Sequence, residues 1–416
     1  MLAWQNYLAP VSLGTPTCGI LGVKRFKVLG CIRNDKADSP GEVTVRAVGV
    51  FPKKRTIDVI DIPEDRIEHD RDVKLHVLDV GICGTDREIA HFQYGSPPAG
   101  SDFLVLGHEA LAEVVEIGAG VTEFQPGDLV VPMVRHPCPH AWCGPCRMNR
   151  SDFCISGDFV ERGIKEEHGF MRSHLIERPE FLAKVPPELR NLAVLTEPLT
   201  IAEKAFGEVR QILERLPWFP EAERPQPLKI RGDSRALVVG AGPMGLLGAM
   251  RLRVAGYRTF VYSLEPVESL NARLAVEAGC EYLSAKAYDL PSLEKRIEHI
   301  DLVYEATGVS KIAFGLMKYL GENGILVLTG VPALGKPILT DADVIMRNFV
   351  LRNQLVFGTV NAGREDHEKA IASLGVFRDR WPRILRSMIA GRYPLESIRE
   401  LLERKPPGIK HVVEPG

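Results

Sequence analysis

Gly240-Ala241-Gly242-Pro243-Met244-Gly245 follows directly on an apolar run at 235–239 and opens helix-forming sequence from 243 to 255. A strand that turns through glycines into a helix restricts the chain severely, and this context makes the pattern a dinucleotide fingerprint. Gly240 permits the tight turn, Gly242 lets backbone N–H groups approach a pyrophosphate, and Gly245 lets helix and strand pack closely. The helix N-terminus adds favourable partial charge for an anion. Pro243 and Met244 complete the expected contacts in the turn. The next strand runs into Ser263-Leu264-Glu265, and Glu265 lies twenty residues after Gly245. An acid at that distance accepts hydrogen bonds from an adenosine ribose, which favours NAD over NADP. Ser263 could also meet a phosphate, and the nearest basic candidate, Arg273, lies farther on in the helix.

From 235 to about 359 strands and helices alternate: strands at 235–239, 259–262, 302–305 and 325–329, helices at 243–255, 267–278 and 310–320. Such alternation implies an α/β, doubly wound parallel sheet covered on both faces. The chain before it reads differently. Strands are expected at 43–50, 72–80 and 110–117, with a break at Gly118-Ala119-Gly120 and a turn at Gln125-Pro126-Gly127-Asp128. Helical sequence begins at Leu192, with Glu197 and Pro198 at its start, and a linker holding Pro217, Pro220, Pro225 and Pro227 occupies 216–232. After Asn361 come helical segments at 365–374 and 381–389 and a strand at 409–413. A chain of 416 residues exceeds one comfortable core, so two domains are expected. Residues 1–41 show no periodic pattern and no basic start with an apolar core of about 7–15 residues, and they read as a disordered extension or as sequence upstream of the true start.

Composition decides the class of partner. No segment approaches the roughly 18 apolar residues of a membrane span, and a formal charge of −2 with no dense basic run gathers neither nucleic acid nor an anionic surface. A small-molecule ligand and a cytoplasmic location are expected. The 8 cysteines are too few for a disulfide scaffold, yet Cys138, Cys143, Cys146 and Cys154 crowd into one loop. Four thiolates so placed close a tetrahedral zinc with no open position, unless His140 replaces Cys138. Cys18, Cys31 and Cys280 have no partner in sequence. Cys83-Gly84-Thr85-Asp86, followed by Gly107-His108-Glu109, supplies a thiolate, an imidazole and carboxylates, a donor set suited to Zn²⁺.

With these motifs in view, the chain resembles the zinc-dependent medium-chain alcohol dehydrogenases. Gly81-Ile82-Cys83-Gly84-Thr85-Asp86-Arg87-Glu88-Ile89 is similar to their glucose dehydrogenase branch, as are Glu161-Arg162-Gly163-Ile164, His168-Gly169-Phe170-Met171, Thr196-Glu197-Pro198-Leu199 and Gly358-Thr359-Val360-Asn361-Ala362. The resemblance spans roughly 43–416. It implies a GroES-like β-rich catalytic domain in two parts, 42–232 and 360–416, around a Rossmann domain at 233–359. It implies a catalytic zinc on Cys83 and His108, with Glu109 able to approach it and Glu197 acting directly or through water. Thr85 then relays a proton, Asp86 orients His108, and Glu88 stands where many relatives continue the relay with His. Glu161, Glu197 and Asn361 are the implied sugar contacts, and Thr307 and Asn361 the implied contacts to the nicotinamide end. His168 stands near the sugar pocket or behind it. Val134 replaces a family Asn before the lobe. The implied reaction is oxidation of C1 of glucose to the lactone with NAD or NADP, in a homo-dimer or homo-tetramer. A dehydrogenase of another sugar or polyol would keep the same residues, whereas a non-catalytic nucleotide-binding protein would be expected to lose Cys83, His108 or Glu197.

Overall fold

The strand Val73–Gly81 alternates fully and partly buried side chains from Val73 to Leu78, the period of a strand with one face on a core, and is buried on both faces at its end. In the computed structural model, which describes residues 43–218, 233–333, 335–404 and 406–416, this strand is the centre of a seven-stranded sheet. The expected extension at 1–41, most of the linker at 216–232, Cys18 and Cys31 lie outside the described residues. The sheet runs Leu182–Val185, Leu129–Pro132, Glu109–Ile117, Val73–Gly81, Lys410–Glu414, Ile389–Pro394, with His174–Glu177 also pairing to Val73–Gly81. Two registers bring chemistry-bearing residues together. Gly81 lies opposite Glu109, and Val412 lies opposite Gly81, so the residues just beyond Gly81, just before Glu109 and just before Val412 meet at one end of the sheet.

The second large sheet is wholly parallel, in the order Glu281–Ser284, Arg258–Ser263, Arg235–Val239, Ile300–Glu305, Leu320–Leu328, Leu355–Gly358. Its strand order reverses between Arg235–Val239 and Ile300–Glu305. At such a switch point the two loops that leave these strands diverge and open a crevice at the carboxyl ends. The glycine turn comes after one of these strands and Thr307 after the other. The α/β, doubly wound class read from the alternation is therefore the architecture found.

Several boundaries differ from expectation. The helix read as 310–320 stops at Leu316, because Leu320 already begins the next strand, bulged where it pairs with Ile300 and carrying a left-handed Asn323 that looks like a turn in sequence. The helix read as 267–278 is Leu270–Glu277, capped by the Ser269 hydroxyl. Glu281–Ser284, Leu290–Ile297, Ala342–Leu351 and the strands Leu355–Gly358 and Ile389–Pro394 have no counterpart in the sequence pattern; most are short, and Ala342–Leu351 buries only Ile345. Helix 365–374 extends over Arg364–Arg380, and helix 381–389 is Pro382–Met388, since Ile389 is drawn into the sheet. Cys280 is a buried core residue whose thiol pKa burial pushes up to about 12.

A buried ionic group ties the small strands of the first half together. His136 Nδ1 lies 2.9 Å from Glu167 and Nε2 lies 3.2 Å from Glu177, which also pairs with Arg162 at 3.0 Å. Burial opposes the imidazolium, but Glu177 and Glu167 outweigh it and raise the His136 pKa to about 9. Burial likewise opposes the Glu177 carboxylate, but Arg162 and His136 lower its pKa to about 2. A raised folded-state pKa stabilises below the unfolded value, about 6.5 for His, and that stabilisation is lost as pH climbs toward 9. The Glu177 contribution is lost in the other direction, as pH falls from about 4.5 through its lowered value. Thermal stability should therefore weaken between pH 6.5 and 9, by on the order of 2–3 kcal/mol from this group. His136→Gln should flatten that limb, and a limb of unchanged slope in the variant would remove His136 as its source.

Candidate active site and metal centres

The strand register brings the ends of three strands to one place. Cys83 follows Val73–Gly81 and caps the short helix Gly84–Ala90, His108 precedes Glu109–Ile117, and Glu109 begins it. Ligand atoms of Cys83, His108 and Glu109 all lie within 4.8 Å of one another. Asp86 holds the pair together: one oxygen accepts from the Cys83 backbone N–H at 2.7 Å, and the other lies 3.3 Å from His108 Nδ1. A carboxylate behind the imidazole fixes its ring and leaves Nε2 for a metal. Thr85 Oγ1 is 4.0 Å from the Cys83 sulfur.

Glu197 opens the helix Thr196–Leu213 and is not drawn into this close set. Burial, then the negative charge of Glu109, push its pKa up. The residue that sequence reasoning missed is Lys410. It is buried, it donates to the Glu109 carboxylate, and its Nζ reaches the Ile82 carbonyl at 3.2 Å. Its only sequence signal is a lysine at the start of the strand-like run 409–413, a pattern that ordinarily marks a solvated strand end. Burial opposes the charges of Lys410 and His108, yet the surrounding acids and the Cys83 sulfur raise both pKa values. The pocket is electrostatically arranged for positive charge, and its thiolate, imidazole and carboxylate donors fit zinc.

The four lobe cysteines also converge within 4.8 Å, with the Cys143 and Cys154 sulfurs 3.9 Å apart, and none forms a disulfide. A tetrahedron with metal–sulfur bonds of about 2.3 Å has edges near ~3.8 Å, so the cluster has the dimensions of a closed four-thiolate zinc site. His140 takes no part: its Nε2 lies 2.5 Å from Asp158 and its ring stacks on Trp142. Cys138 rather than His140 thus lies in the converging group.

Glu161 and Asn361, two hundred positions apart, meet: Asn361 Nδ2 donates to Glu161 Oε1 at 3.0 Å. His168 is turned away, its Nδ1 accepting the Val105 N–H at 3.1 Å and its ring stacked on Phe103. At the glycine turn, a side chain on Gly245 would strike the Gly240 carbonyl at 2.1 Å, whereas one on Gly242 would meet nothing within 4 Å. The first glycine contact is helix against strand, and the second is open space over the helix N-terminus, as a pyrophosphate requires. Gly240 itself has a φ of 105°, open only to glycine. Glu265 accepts from the Ser263 hydroxyl, and Tyr282 donates to its carbonyl at 2.8 Å, so the acid is braced at the strand end. Thr307 donates both its N–H and its hydroxyl to Glu305, which commits its side chain inward.

Comparison with known proteins agrees with this anatomy. Residues 69–187 match the family described as the alcohol dehydrogenase GroES-like domain, and residues 190–415 match the glucose dehydrogenase C-terminus. The chain is 39% identical over 373 residues to the glucose 1-dehydrogenase of Methanocella arvoryzae, covering 89% of this chain and 100% of that one. It is 39% identical to the glucose 1-dehydrogenase of Thermoproteus tenax over 360 residues, 86% of this chain and 95% of the other. The structure of Haloferax mediterranei glucose dehydrogenase in complex with NADP, Zn and gluconolactone superimposes with a TM-score of 0.78 at 29% identity, covering 89% of this chain and 99% of that one. With two converging thiolate sites, a glycine turn at a switch point and relatives matched over nearly their whole length, the chain belongs to the glucose dehydrogenase branch of the zinc-dependent medium-chain alcohol dehydrogenases.

Proposed function

We propose that the protein oxidises C1 of an aldose, with D-glucose as the leading substrate, to the lactone and passes the hydride to NAD(P). The observation that carries this reading is the meeting of Glu161 and Asn361 in a chain that also gathers Cys83, His108 and Glu109. Two polar groups that pair with hydroxyls suit a polyol better than a simple alcohol. Cys83 and His108 would hold the catalytic metal, with Glu109 able to approach it and Glu197 acting directly or through water, and Cys138, Cys143, Cys146 and Cys154 would hold a structural one. When bound, zinc supplies a Lewis acid that favours the alkoxide of the substrate. Asp86 keeps the His108 ring in place, Thr85 takes the substrate proton outward, and Glu161 and Asn361 orient the sugar. Incubation with β-D-glucose and NAD should yield lactone and reduced cofactor in equal amounts. Turnover of galactose, xylose or sorbitol with none of glucose would move the substrate and keep the chemistry.

For the cofactor, Gly240, Gly242, Pro243, Met244 and Gly245 take the pyrophosphate, Thr307 and Asn361 lie toward the nicotinamide end, and Glu265 takes the ribose hydroxyls and favours NAD. A carboxylate repels a 2′-phosphate, and an arginine attracts it. Glu265→Arg should move the ratio of the kcat/KM values for NAD and NADP toward NADP by about tenfold or more, roughly 1.4 kcal/mol. An unchanged ratio would take Glu265 out of the ribose site. The protein works as a homo-dimer or homo-tetramer: Leu355–Gly358 is an edge strand, and the adjoining helix exposes Val350 at 72% and Leu351 at 64%. Light scattering at micromolar concentration tests this, and a monomeric mass would contradict it. The reduced lobe thiols suit the cytoplasm. Among the described residues no helix is long and apolar enough to cross a membrane.

A further inference from the structure

Glu161 is a buried carboxylate, 5% exposed, with an uneven set of partners. Its Oε1 accepts from Arg135 Nε at 3.0 Å, Arg135 Nη2 at 2.8 Å and Asn361 Nδ2 at 3.0 Å. Among the described residues no donor reaches Oε2. A carboxylate in solution offers both oxygens and rotates freely. This one has its first oxygen saturated, and its second is left for a donor from outside the protein.

The arginine that does this is itself immobilised on every side. Arg135 pairs with Glu161 across antiparallel strands and is 7% exposed. Its guanidinium lies over the Phe159 ring at 3.7 Å, and its Nη1 donates to the Asp152 carbonyl at 3.4 Å. Its own carbonyl accepts from the Ser151 hydroxyl at 2.9 Å. Asp152 is gripped in turn by Arg150 at 2.7 Å and by the buried Lys204 at 2.9 Å, and Lys204 also holds the Val360 carbonyl, next to Asn361, at 2.9 Å. Asp152 thus links the two donors to Oε1, directly to Arg135 through its carbonyl and by way of Lys204 to the backbone beside Asn361.

We propose that Arg135 is the positioning residue that holds Glu161 as a one-sided acceptor for a sugar hydroxyl, and so sets discrimination among hydroxyl patterns. The inference rests on the reading of Glu161 as a sugar contact. An acceptor whose first oxygen is held fixed and whose second is left for one hydroxyl rewards that hydroxyl over an analogue that lacks it.

The test uses the zinc-loaded enzyme with glucose and its 2-, 3-, 4- and 6-deoxy analogues. Wild type is expected to penalise one of these in kcat/KM by about tenfold or more. Arg135→Met should raise the KM for glucose about tenfold, change kcat less than about threefold, and bring the deoxy penalty to within about twofold of unity. Arg135→Lys, which keeps the charge and loses the fork, should fall between the two. A merely structural role would lower kcat/KM equally for every sugar, and that pattern, or an unaltered deoxy penalty, would overturn the proposal. Bound zinc and the NAD Kd report whether Arg135→Met is folded. If it is not, Arg135→Lys decides, since a wild-type deoxy penalty in that variant would equally refute the assignment. Wild-type enzyme that oxidises no sugar would instead refute the substrate reading, before any variant is made.

Discussion

Cys83→Ala is expected to lower kcat by about a thousandfold or more while the Kd for NAD stays within about twofold of wild type. The sulfur is one of three donors within 4.8 Å, and the other two are a carboxylate paired with Lys410 and an imidazole that Asp86 backs. Removing the thiolate deletes the donor with no substitute nearby. The local fold should survive, because the Asp86 bond that organises the turn goes to the Cys83 backbone N–H, which alanine retains. The glycine turn belongs to the other sheet. Steady-state rates with zinc analysis of the variant check this, and full activity in a variant that binds NAD normally would refute the catalytic-metal assignment.

Lys410→Met should be the most destabilising single substitution at the site, by about 3–5 kcal/mol. Both side chains of the Lys410–Glu109 pair are 2% exposed, so methionine would leave the Glu109 carboxylate buried without its countercharge. The double variant Lys410→Met/Glu109→Gln should recover a large share of the loss, since the uncompensated charge and not the missing contact is the chief cost. Denaturant unfolding of the wild type, the two single variants and the double variant measures the coupling. Additive losses would show that the pair is not energetically linked.

What could be read in the sequence was local. The glycine turn needs particular residues at particular spacings because backbone conformation and close approach demand them, so Gly240, Gly242 and Gly245 declare themselves. The candidate metal-binding residues stand out by type, since cysteines crowded in one loop, and a cysteine with a histidine and acids, make donor sets suited to zinc. Lys410 and Arg135 did not, because their meaning comes from register: Lys410 matters only once Val412 is opposite Gly81, and Arg135 only once it faces Glu161. Spacing alone also left Cys138 and His140 as alternatives, until Asp158 and Trp142 took the imidazole. In the nucleotide-binding half, the alternation located Arg235–Val239 to the residue, while Glu281–Ser284 and Ala342–Leu351 were too short or too exposed to show a period.

The central claim is that, if Cys83 and His108 hold a zinc ion, the sugar C1 hydroxyl would lose its proton while the C1–H bond passes its hydride to the nicotinamide. The measurement that meets it most directly is the initial rate of NAD reduction with D-glucose before chelation, after removal of zinc, and after zinc is returned. The account predicts a rate that vanishes with the metal and comes back with it, while NAD binding is retained throughout. A glucose-dependent rate that persists in protein shown to be free of zinc would contradict it.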